Sequence, residues 1–354
     1  MLVSVIIPTY RPDEKLRDCL ASIARQTVED LEVILVDDGS PPGEVAALAD
    51  TFRGELQILR NEKSEGAAAA RNRGLRAARG EYVQFLDDDD SLDPRKLERQ
   101  LARNQSLGEG TVTLAARVRF SDRSDPADGF FRCLDRDPRD ARSVAFEMLG
   151  GEGRPRQIQT GQWLLPREFC LAIGGWDPRA LADDDQVFAL RALLASRAVV
   201  GVADSVAFYR IDPARDSLSG LRDRRGIEAR LYSADTMIRE LQRDSPPDEA
   251  ASVARVEAGL FRRQIPRAWP RYPDLAAECI RRVRSCGEAI GPLPDLAPAD
   301  RRWEKLFGWR IALATRPLRR RLRHRLLGGR AAKPQSALLR DDGEVPYRDT
   351  GTFA

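Results

Sequence analysis

The chain has 354 residues, of which 42% are hydrophobic and 32% are charged, and its formal net charge is +3. This length allows one large domain or two of ordinary size. No apolar run approaches the roughly 20 residues of a membrane-spanning helix, and the first residues show no secretory signal. The single histidine, His324, excludes a histidine-dependent triad or histidine-rich metal site in the N-terminal half. Chemistry there must rest on carboxylates.

Charge is distributed unevenly along the chain. Residues 301–330 hold eleven Lys and Arg against one acidic residue, which leaves 47 basic and 54 acidic groups elsewhere. A mildly acidic body argues against nucleic acid as a partner. The basic segment interleaves arginines with Trp, Phe and Leu. This is typical of peripheral contact with an anionic membrane through residues 300–330, or of a helix packed on the body with solvated arginines.

The cysteines indicate the compartment. There are five of them, an odd number without C-x-x-C spacing, which suits a reducing cytosol and gives no zinc signature. We therefore predict a cytoplasmic location, with the basic segment as the candidate contact to the inner face of the cell membrane.

Residues 1–116 alternate between strand and helix patterns, which predicts βαβ units and a mostly parallel sheet. The first helix has one apolar face, formed by Leu16, Cys19, Leu20 and Ile23. In chain order the predicted elements are strand Leu2–Ile7, a helix opening at Pro12, strand Leu31–Val36, helix Glu44–Phe52, strand Leu56–Leu59, helix Glu65–Ala78, strand Tyr82–Leu86, helix Pro94–Leu107 and strand Thr111–Ala116.

The remaining chain has a looser pattern. We interpret residues 121–143 as a surface excursion or lid, and residues beyond about 222 as Arg-rich helices interrupted by prolines. The other predicted elements are helices Leu164–Ile173 and Asp183–Ser196, and strands Val199–Val202 and Val206–Tyr209. The predicted domains are 1–220 (with a first half 1–116 and a second half 117–220), a helical region 221–330 and a disordered tail 331–354.

Four adjacent carboxylates, Asp87 to Asp90, follow the buried strand pattern that ends at Leu86. Each negative charge raises the pKa of its neighbours, and a divalent cation would remove that repulsion. Oxygen-only ligands suit Mg2+ or Mn2+, which bind one or two carboxylates together with substrate phosphates. The alternative is a solvated acidic loop.

Three further residues are expected near the edge of the sheet where the acidic run lies. Two of them follow predicted strands, and the third lies on the helix that leads into strand Tyr82–Leu86. Tyr10 can stack on a base, Asp38 can accept hydrogen bonds from it, and Arg71 can face phosphate. The alternatives are a packing aromatic, a turn former and a surface residue paired with Glu65 or Glu81, respectively. No P-loop and no dinucleotide-binding glycine pattern follows a strand.

These motifs together resemble family 2 glycosyltransferases of the GT-A fold. The resemblance rests on VSVIIPTYRPDEKLRDCLASIARQT, LEVILVDDGS and GAAAARNRGLRAARGEYVQFLDDDDSLDP, and covers residues 2–107 closely and reaches about 219 more loosely. It implies an α/β fold with a Rossmann-like, mostly parallel sheet, flanking helices and a C-terminal helical extension. It also implies an inverting transferase that moves sugar from a nucleotide-diphosphate donor, with a UDP-sugar as first choice, to a hydroxyl of a glycan or lipid-linked acceptor in cell-surface polysaccharide synthesis.

The resemblance also implies that residues 1–116 are the nucleotide-sugar-binding half of the domain and residues 117–220 its acceptor half, and it assigns roles to single residues. It implies that Asp185 is the general base, and that Asp87 and Asp89 form the D-x-D motif for Mn2+ or Mg2+. Asp184 stands where the family usually has Glu, and Asp212, a possible phosphate or metal contact, stands where His is frequent. The implied donor contacts are Pro8, Thr9, Tyr10, Asp38, Arg71 and Asp88, and the possible acceptor contacts are Trp163, Trp176 and Asp184.

Two other functions remain open at this point. A sugar nucleotidyltransferase would usually carry a glycine-rich phosphate loop after the first strand, and Pro8–Pro12 is not glycine-rich. A non-catalytic sugar-binding or scaffold relative would be signalled by loss of the metal or base carboxylates, yet Asp87, Asp89 and Asp185 are present. Asp185 also has a purely structural interpretation, because the helix dipole favours acidic residues in the first turn of a helix.

Overall fold

The described part of the chain forms two β-sheets with helices packed against them. The structure, a computed structural model, describes residues 2–121, 130–132, 134, 137–151, 156–211, 223–243, 245–290, 293, 304, 308–310, 313–315 and 345–346. The strands are β1 Val3–Thr9, β2 Leu31–Asp37, β3 Glu55–Arg60, β4 Tyr82–Phe85, β5 Ser91–Leu92, β6 Thr111–Phe120, β7 Phe130–Arg132, β8 Arg139–Asp140, β9 Leu165–Pro166, β10 Ala198–Arg210 and β11 Val345–Pro346. The α-helices are α1 Lys15–Ala24, α2 Glu44–Ala49, α3 Ala67–Ala77, α4 Lys96–Ser106, α5 Ala141–Leu149, α6 Arg167–Ala172, α7 Asp184–Leu194, α8 Arg224–Arg243, α9 Ala250–Ala268 and α10 Pro273–Ser285.

The first sheet has the strand order β3-β2-β1-β4-β9. Strand β1 lies between β2 and β4 and pairs in parallel with both. All seven of its residues are buried, which explains its nearly continuous apolar sequence, because a central parallel strand is covered on both faces. The predicted parallel sheet is therefore confirmed, and β1, β2 and β4 end at the same edge.

The second sheet is formed mainly by the strands that follow residue 110. Its order is β11-β7-β6-β10-β5, and β8 also pairs with β10. Strand β5, which follows the acidic run directly, pairs antiparallel with β10, so that Ala207 lies opposite Leu92. The connection holds the end of β10 beside the acidic residues.

The helix α1 packs through the apolar face that its sequence predicts. Its side chains Leu16, Cys19, Leu20 and Ile23 are all buried, as the i, i+3, i+4, i+7 spacing predicts. They join a cluster with Val5 and other apolar residues of the first sheet. Burial of each such large side chain contributes about 1.5–3 kcal/mol.

Helices α8, α9 and α10 form the predicted helical region and pack against the rest. Helix α8 contacts α7 and α9, and α9 contacts α5 and α10. The described fragments of the basic segment pack here too. Leu313 is buried, and the Trp309 ring meets Trp269, the residue that follows α9, edge-on with ring centroids 5.9 Å apart. Among the described residues, none of the helices has both the length and the apolarity to cross a bilayer.

Some predicted elements differ from the observed ones. The two strands predicted at Val199–Val202 and Val206–Tyr209 are one strand, β10, whose pairing with β6 shifts register between Val202 and Val206. The helix predicted at Leu164–Ile173 is shorter, because Leu165–Pro166 pairs with β4 as an antiparallel strand. Residues 121–143 lie partly outside the described residues, and their described part carries the short strands β7 and β8 and the first residues of α5.

Candidate functional site

The carboxyl ends of β1, β2 and β4 bring the predicted donor residues to one edge of the sheet. The Thr9 hydroxyl, at the end of β1, donates to Asp88 at 2.6 Å, which links the two strand ends directly. The backbone N–H of Asp38 donates to the Thr9 carbonyl at 2.8 Å. Such strand ends are where ligands bind in open α/β sheets.

Alternate residues of the acidic run face different environments. Asp87 and Asp89 are partly exposed, whereas Asp88 and Asp90 are buried. Asp90 accepts a hydrogen bond from the backbone N–H of Arg210 at 2.8 Å. Burial, and then the charges of Asp89 and Asp87, raise the pKa of Asp90 well above its usual range. Burial and the neighbouring carboxylates thus both disfavour the ionised form of Asp90.

This donor set fits a divalent cation that is shared with a substrate. The two carboxylates of the predicted D-x-D motif, Asp87 and Asp89, are the partly exposed pair, and an added positive charge would relieve the repulsion. Within the described parts of the chain, no three His, Cys, Asp or Glu side chains form a group able to hold an ion on their own. Diphosphate oxygens would have to complete the ligands, as Mg2+ sites commonly require.

Asp38 closes the N-terminal end of α3. Its buried carboxylate accepts hydrogen bonds from the side chains of Asn61 and Ser64, both at 2.7 Å. It also accepts from the backbone N–H groups of Glu65 at 2.9 Å and Gly66 at 2.8 Å. A carboxylate at a helix N-terminus satisfies unpaired N–H groups and complements the dipole. Asp38 thus has a structural role beyond a turn, and its predicted contact with a base stays a prediction.

Arg71 links the acidic run to the start of α7. It is 5% exposed. Its guanidinium donates to Asp87 at 2.6 Å and to Asp184 at 2.7 Å, and it stacks over the Trp176 ring at 4.3 Å. These carboxylates raise its pKa despite its burial. The predicted contact of Arg71 with phosphate stays a prediction. In the structure its guanidinium contacts two carboxylates and a ring, and these carboxylates are Asp87 and Asp184 and not Glu65 or Glu81.

Asp185 lies on the first turn of α7 and is the candidate base. Burial, then the neighbouring charges of Asp184 and Asp183, raise its pKa to about 7. Its carboxylate accepts from the Gln186 backbone N–H at 2.9 Å and from the Gln186 side chain at 3.1 Å. A carboxyl group with such a pKa is suited to accept a proton near neutral pH.

The two tryptophans named as possible acceptor contacts are core residues. Trp163 and Trp176 are each 1% exposed, so their side chains offer no surface to an acceptor. Trp176 stacks on Phe188 at 4.3 Å and meets Phe85 edge-on at 5.2 Å. The sequence around these tryptophans does not indicate whether their rings face the site or the core. In the structure both rings are buried, which is favourable because a large aromatic side chain removes much apolar surface from water.

The other predicted contacts fall in different places. Pro8 is buried in β1, whereas Tyr10 is 45% exposed beside the strand ends, where it can meet a ligand. The Arg11 guanidinium lies 5.4 Å from the Tyr10 ring centroid. Asp212 lies outside the described residues.

Two residues at the site were not found by sequence reasoning. Asn72 accepts from the Trp176 backbone N–H at 2.9 Å and donates to the Trp176 carbonyl at 2.8 Å, so it fixes the segment before the candidate base. Arg210 also donates from its side chain to the Asp89 carbonyl at 2.8 Å. The sequence signals for them are positional, because Asn72 directly follows Arg71 and Arg210 directly follows the predicted strand Val206–Tyr209.

The fold resembles solved structures of TarS from S. aureus. The TarS 1–349 structure in complex with UDP-GlcNAc has a TM-score of 0.62 and 17% identity, and the match covers 90% of this chain and 92% of that one. A second TarS structure, in complex with UDP, has a TM-score of 0.52 and 15% identity, and the match covers 98% and 99% of the two chains. At this identity the likeness shows the fold, and the predicted GT-A architecture is confirmed.

Sequence relatives match about 100 residues of the chain. The Bacillus subtilis uncharacterized glycosyltransferase EpsJ is 37% identical over 100 residues, 28% of this chain and 29% of that protein. Poly(ribitol-phosphate) beta-N-acetylglucosaminyltransferase TarP of Staphylococcus aureus is 40% identical over 100 residues, 27% of this chain and 31% of that protein. UDP-Glc:alpha-D-GlcNAc-diphosphoundecaprenol beta-1,3-glucosyltransferase WfgD of Escherichia coli is 34% identical over 101 residues, 28% and 40% of the two chains.

The chain thus spans less than half the length of these relatives. The family model described as glycosyl transferase family 2 matches residues 4–145, which contain the donor-side strand ends, the acidic run and Arg71. The motifs, the topology and this match agree: residues 4–145 match the glycosyl transferase family 2 model, and the resemblance found in the sequence is confirmed for this segment.

Proposed function

We propose that the chain transfers a glycosyl group from a nucleotide-diphosphate sugar to an acceptor hydroxyl, with inversion at the anomeric carbon. The observation that carries the proposal is the arrangement around Arg71. The guanidinium contacts Asp87 of the acidic run and Asp184 beside the candidate base, so that donor-side and acceptor-side carboxylates belong to one site. A solvated acidic loop would not need a buried arginine between two such groups.

The donor side is formed by the strand ends of the first sheet. The exposed Tyr10 ring is available for stacking on a nucleobase. Asp87 and Asp89 would hold a divalent cation, Mn2+ or Mg2+, whose charge offsets that of the departing diphosphate. Thr9 fixes Asp88 between them, so the spacing of the two partly exposed carboxylates is set by the fold.

The acceptor side is served by Asp185. Its carboxylate takes the proton of the acceptor hydroxyl as that oxygen forms a bond to the anomeric carbon and the bond to the diphosphate breaks. Attack from the face opposite the leaving group inverts the configuration, and no covalent protein nucleophile is needed. Gln186 holds both oxygens of Asp185 from one side, which leaves the remaining lone pairs for the proton.

The substrate classes are proposed from the relatives. TarS was solved in complex with UDP-GlcNAc. The name of WfgD states a UDP-Glc donor and a diphosphoundecaprenol-linked acceptor. We therefore favour a UDP-sugar and a glycan or lipid-linked acceptor of a cell-surface polysaccharide. Contact of residues 300–330 with an anionic membrane remains part of this proposal. Trp309 and Leu313 pack on the helical region, so we propose the arginine-rich sequence that follows them as the contact.

The test is a screen of nucleotide sugars for release of free nucleotide in the presence of Mn2+. We expect one donor class to be turned over by the full chain and not by Asp89→Ala. Net synthesis of a nucleotide sugar from a nucleoside triphosphate and a sugar phosphate would show a nucleotidyltransferase instead. Binding of nucleotide sugars without any turnover, with or without candidate acceptors, would show a sugar-binding relative.

A further inference from the structure

The segment between α6 and α7 leads directly into the candidate base. It is fixed on one side by Asn72 of α3, through the two backbone hydrogen bonds at Trp176. On the other side it meets α8, which belongs to the helical region beyond residues 4–145. Two consecutive residues of α8 make these contacts, one near each end of the stretch 177–182.

The first contact is between Tyr232 and Asp177. The phenol hydroxyl donates to the buried Asp177 carboxylate at 2.9 Å. Asp177 also accepts from the backbone N–H of Arg179 at 3.0 Å. Burial alone would raise the pKa of Asp177, but the hydrogen bonds from Arg179 and Tyr232 lower it, so the carboxylate stays charged inside the protein.

The second contact is between Ser233 and Ala182. The buried Ser233 hydroxyl donates to the Ala182 carbonyl at 2.5 Å. That carbonyl belongs to the peptide unit joining Ala182 to Asp183, so its orientation helps to set the φ angle of Asp183. Asp183 has φ 60°, in the left-handed region that a non-glycine residue seldom adopts.

The left-handed residue determines where the candidate base lies. Asp183 stands immediately before the first turn of α7, and its carbonyl accepts from the N–H groups of Gln186 at 3.1 Å and Val187 at 3.2 Å. Within the part of the chain that the structure describes, no side chain makes a capping hydrogen bond to this helix start. A strained turn persists only where its surroundings hold it, and the Ser233 hydroxyl supplies a direct hold on the preceding peptide.

We infer that Ser233, assisted by Tyr232, is a positioning residue for the base Asp185, and that helix α8 is therefore part of the catalytic unit. The inference rests on the proposed function. It assigns to the helical region a task in catalysis that the family segment 4–145 does not contain. A displacement of a catalytic group by about 1 Å can cost up to about a hundredfold in rate.

The experiment compares Ser233→Ala with Ser196→Ala. Ser196 also donates to a backbone carbonyl, that of Ala192 at 2.7 Å, but at the far end of α7. For Ser233→Ala we expect kcat for transfer to fall by about tenfold to a hundredfold, with KM for the donor within about twofold of the wild type. Ser196→Ala should keep wild-type values of both.

A second measurement does not depend on activity. Hydrogen–deuterium exchange should become faster at the first-turn amides of α7, those of Gln186 and Val187, in Ser233→Ala and not in Ser196→Ala. Unchanged exchange there together with unchanged kcat would overturn the inference while leaving the proposed function intact. Failure of the wild-type chain to turn over any donor would refute the proposed function, and the exchange result would still decide whether Ser233 holds the turn.

Tyr232→Phe tests the assisting contact and removes only the hydroxyl. We expect a smaller fall in kcat in the same direction, because Asp177 keeps its bonds to Arg179. A fall in melting temperature with kcat unchanged would show that Tyr232 acts only on stability and would remove it from the inference.

Discussion

The Arg71 guanidinium donates to Asp184 at 2.7 Å, although 113 residues separate them in the chain. The same guanidinium contacts Asp87 at 2.6 Å. Helix α3 therefore places one positive charge between the acidic run after β4 and the start of α7. This single side chain makes the donor side and the acceptor side interdependent, because neither carboxylate keeps its partner if Arg71 moves.

The first prediction concerns the stability that this contact provides. Arg71→Met leaves Asp87 and Asp184 without their shared partner, and removal of one member of a buried ion pair costs about 3–5 kcal/mol. Because both carboxylates are partly exposed, we expect a loss near the lower end, about 3 kcal/mol, in the free energy of unfolding measured with urea. Donor turnover should fall as well.

Arg76→Met is the matched control for this measurement. Arg76 lies on the same helix and is exposed, so its replacement should change the free energy of unfolding by less than about 0.5 kcal/mol. Equal stability of the two variants would mean that the Arg71 contacts contribute no more than a surface charge.

The second prediction concerns the D-x-D carboxylate Asp89. Asp89→Ala should abolish Mn2+-dependent binding of UDP, because it removes one of the two partly exposed carboxylates expected to hold the cation. The fold should remain intact without metal, since the Asp89 charge raises the pKa of Asp90 and its removal relieves that repulsion. Calorimetry with UDP and Mn2+ measures the binding.

Glu81→Ala serves as its control. Glu81 is an exposed acid that immediately precedes β4, at the other end of the strand from the acidic run. The Glu81→Ala variant should bind UDP in the presence of Mn2+ with the affinity of the wild type. Wild-type affinity in Asp89→Ala would exclude this carboxylate from the metal site.

The donor edge could be predicted from the sequence because its signals are local. A short apolar strand followed by Asp87 places that carboxylate at a strand end, and parallel pairing then brings it to the edge where β1 and β2 also end. The amphipathic spacing of α1 likewise determined its buried face.

The rest depends on contacts between distant parts of the chain. The burial of Trp176 follows from its stacking on Phe188 and Arg71, which no local pattern encodes. The register shift that keeps β10 continuous past Val202 depends on its partner β6. The contact of Ser233 with Ala182 joins two segments whose relative position only the folded chain defines.

The third prediction separates two roles of Asp38. If its carboxylate holds the turn that leads into α3, Asp38→Ala should lower the free energy of unfolding of the nucleotide-free protein by about 2 kcal/mol, because the part-buried N–H groups of Glu65 and Gly66 lose their acceptor. Asp38→Asn keeps one acceptor oxygen and should lose less. Thermal and urea unfolding without nucleotide measure both. If Asp38→Ala is as stable as the wild type but has lost affinity for nucleotide, Asp38 contacts the nucleobase and has no role in stability.

The last prediction concerns Asp185, whose pKa is raised to about 7 by burial and by the charges of Asp184 and Asp183. The proton acceptor is the carboxylate form, so the rate of transfer should rise with pH through about 7 in the wild type. Asp185→Asn should lower transfer by at least about a hundredfold, with donor and metal binding unchanged. Ionisation of Asp185 has the opposite effect on stability. An acid whose pKa is higher in the folded than in the unfolded state destabilises the folded state at pH values above its pKa in the unfolded state. The variant should therefore be at least as stable as the wild type at pH 8, a result that unfolding experiments can separate from the activity loss. Full transfer activity in Asp185→Asn would move the base to Asp184 or Asp183.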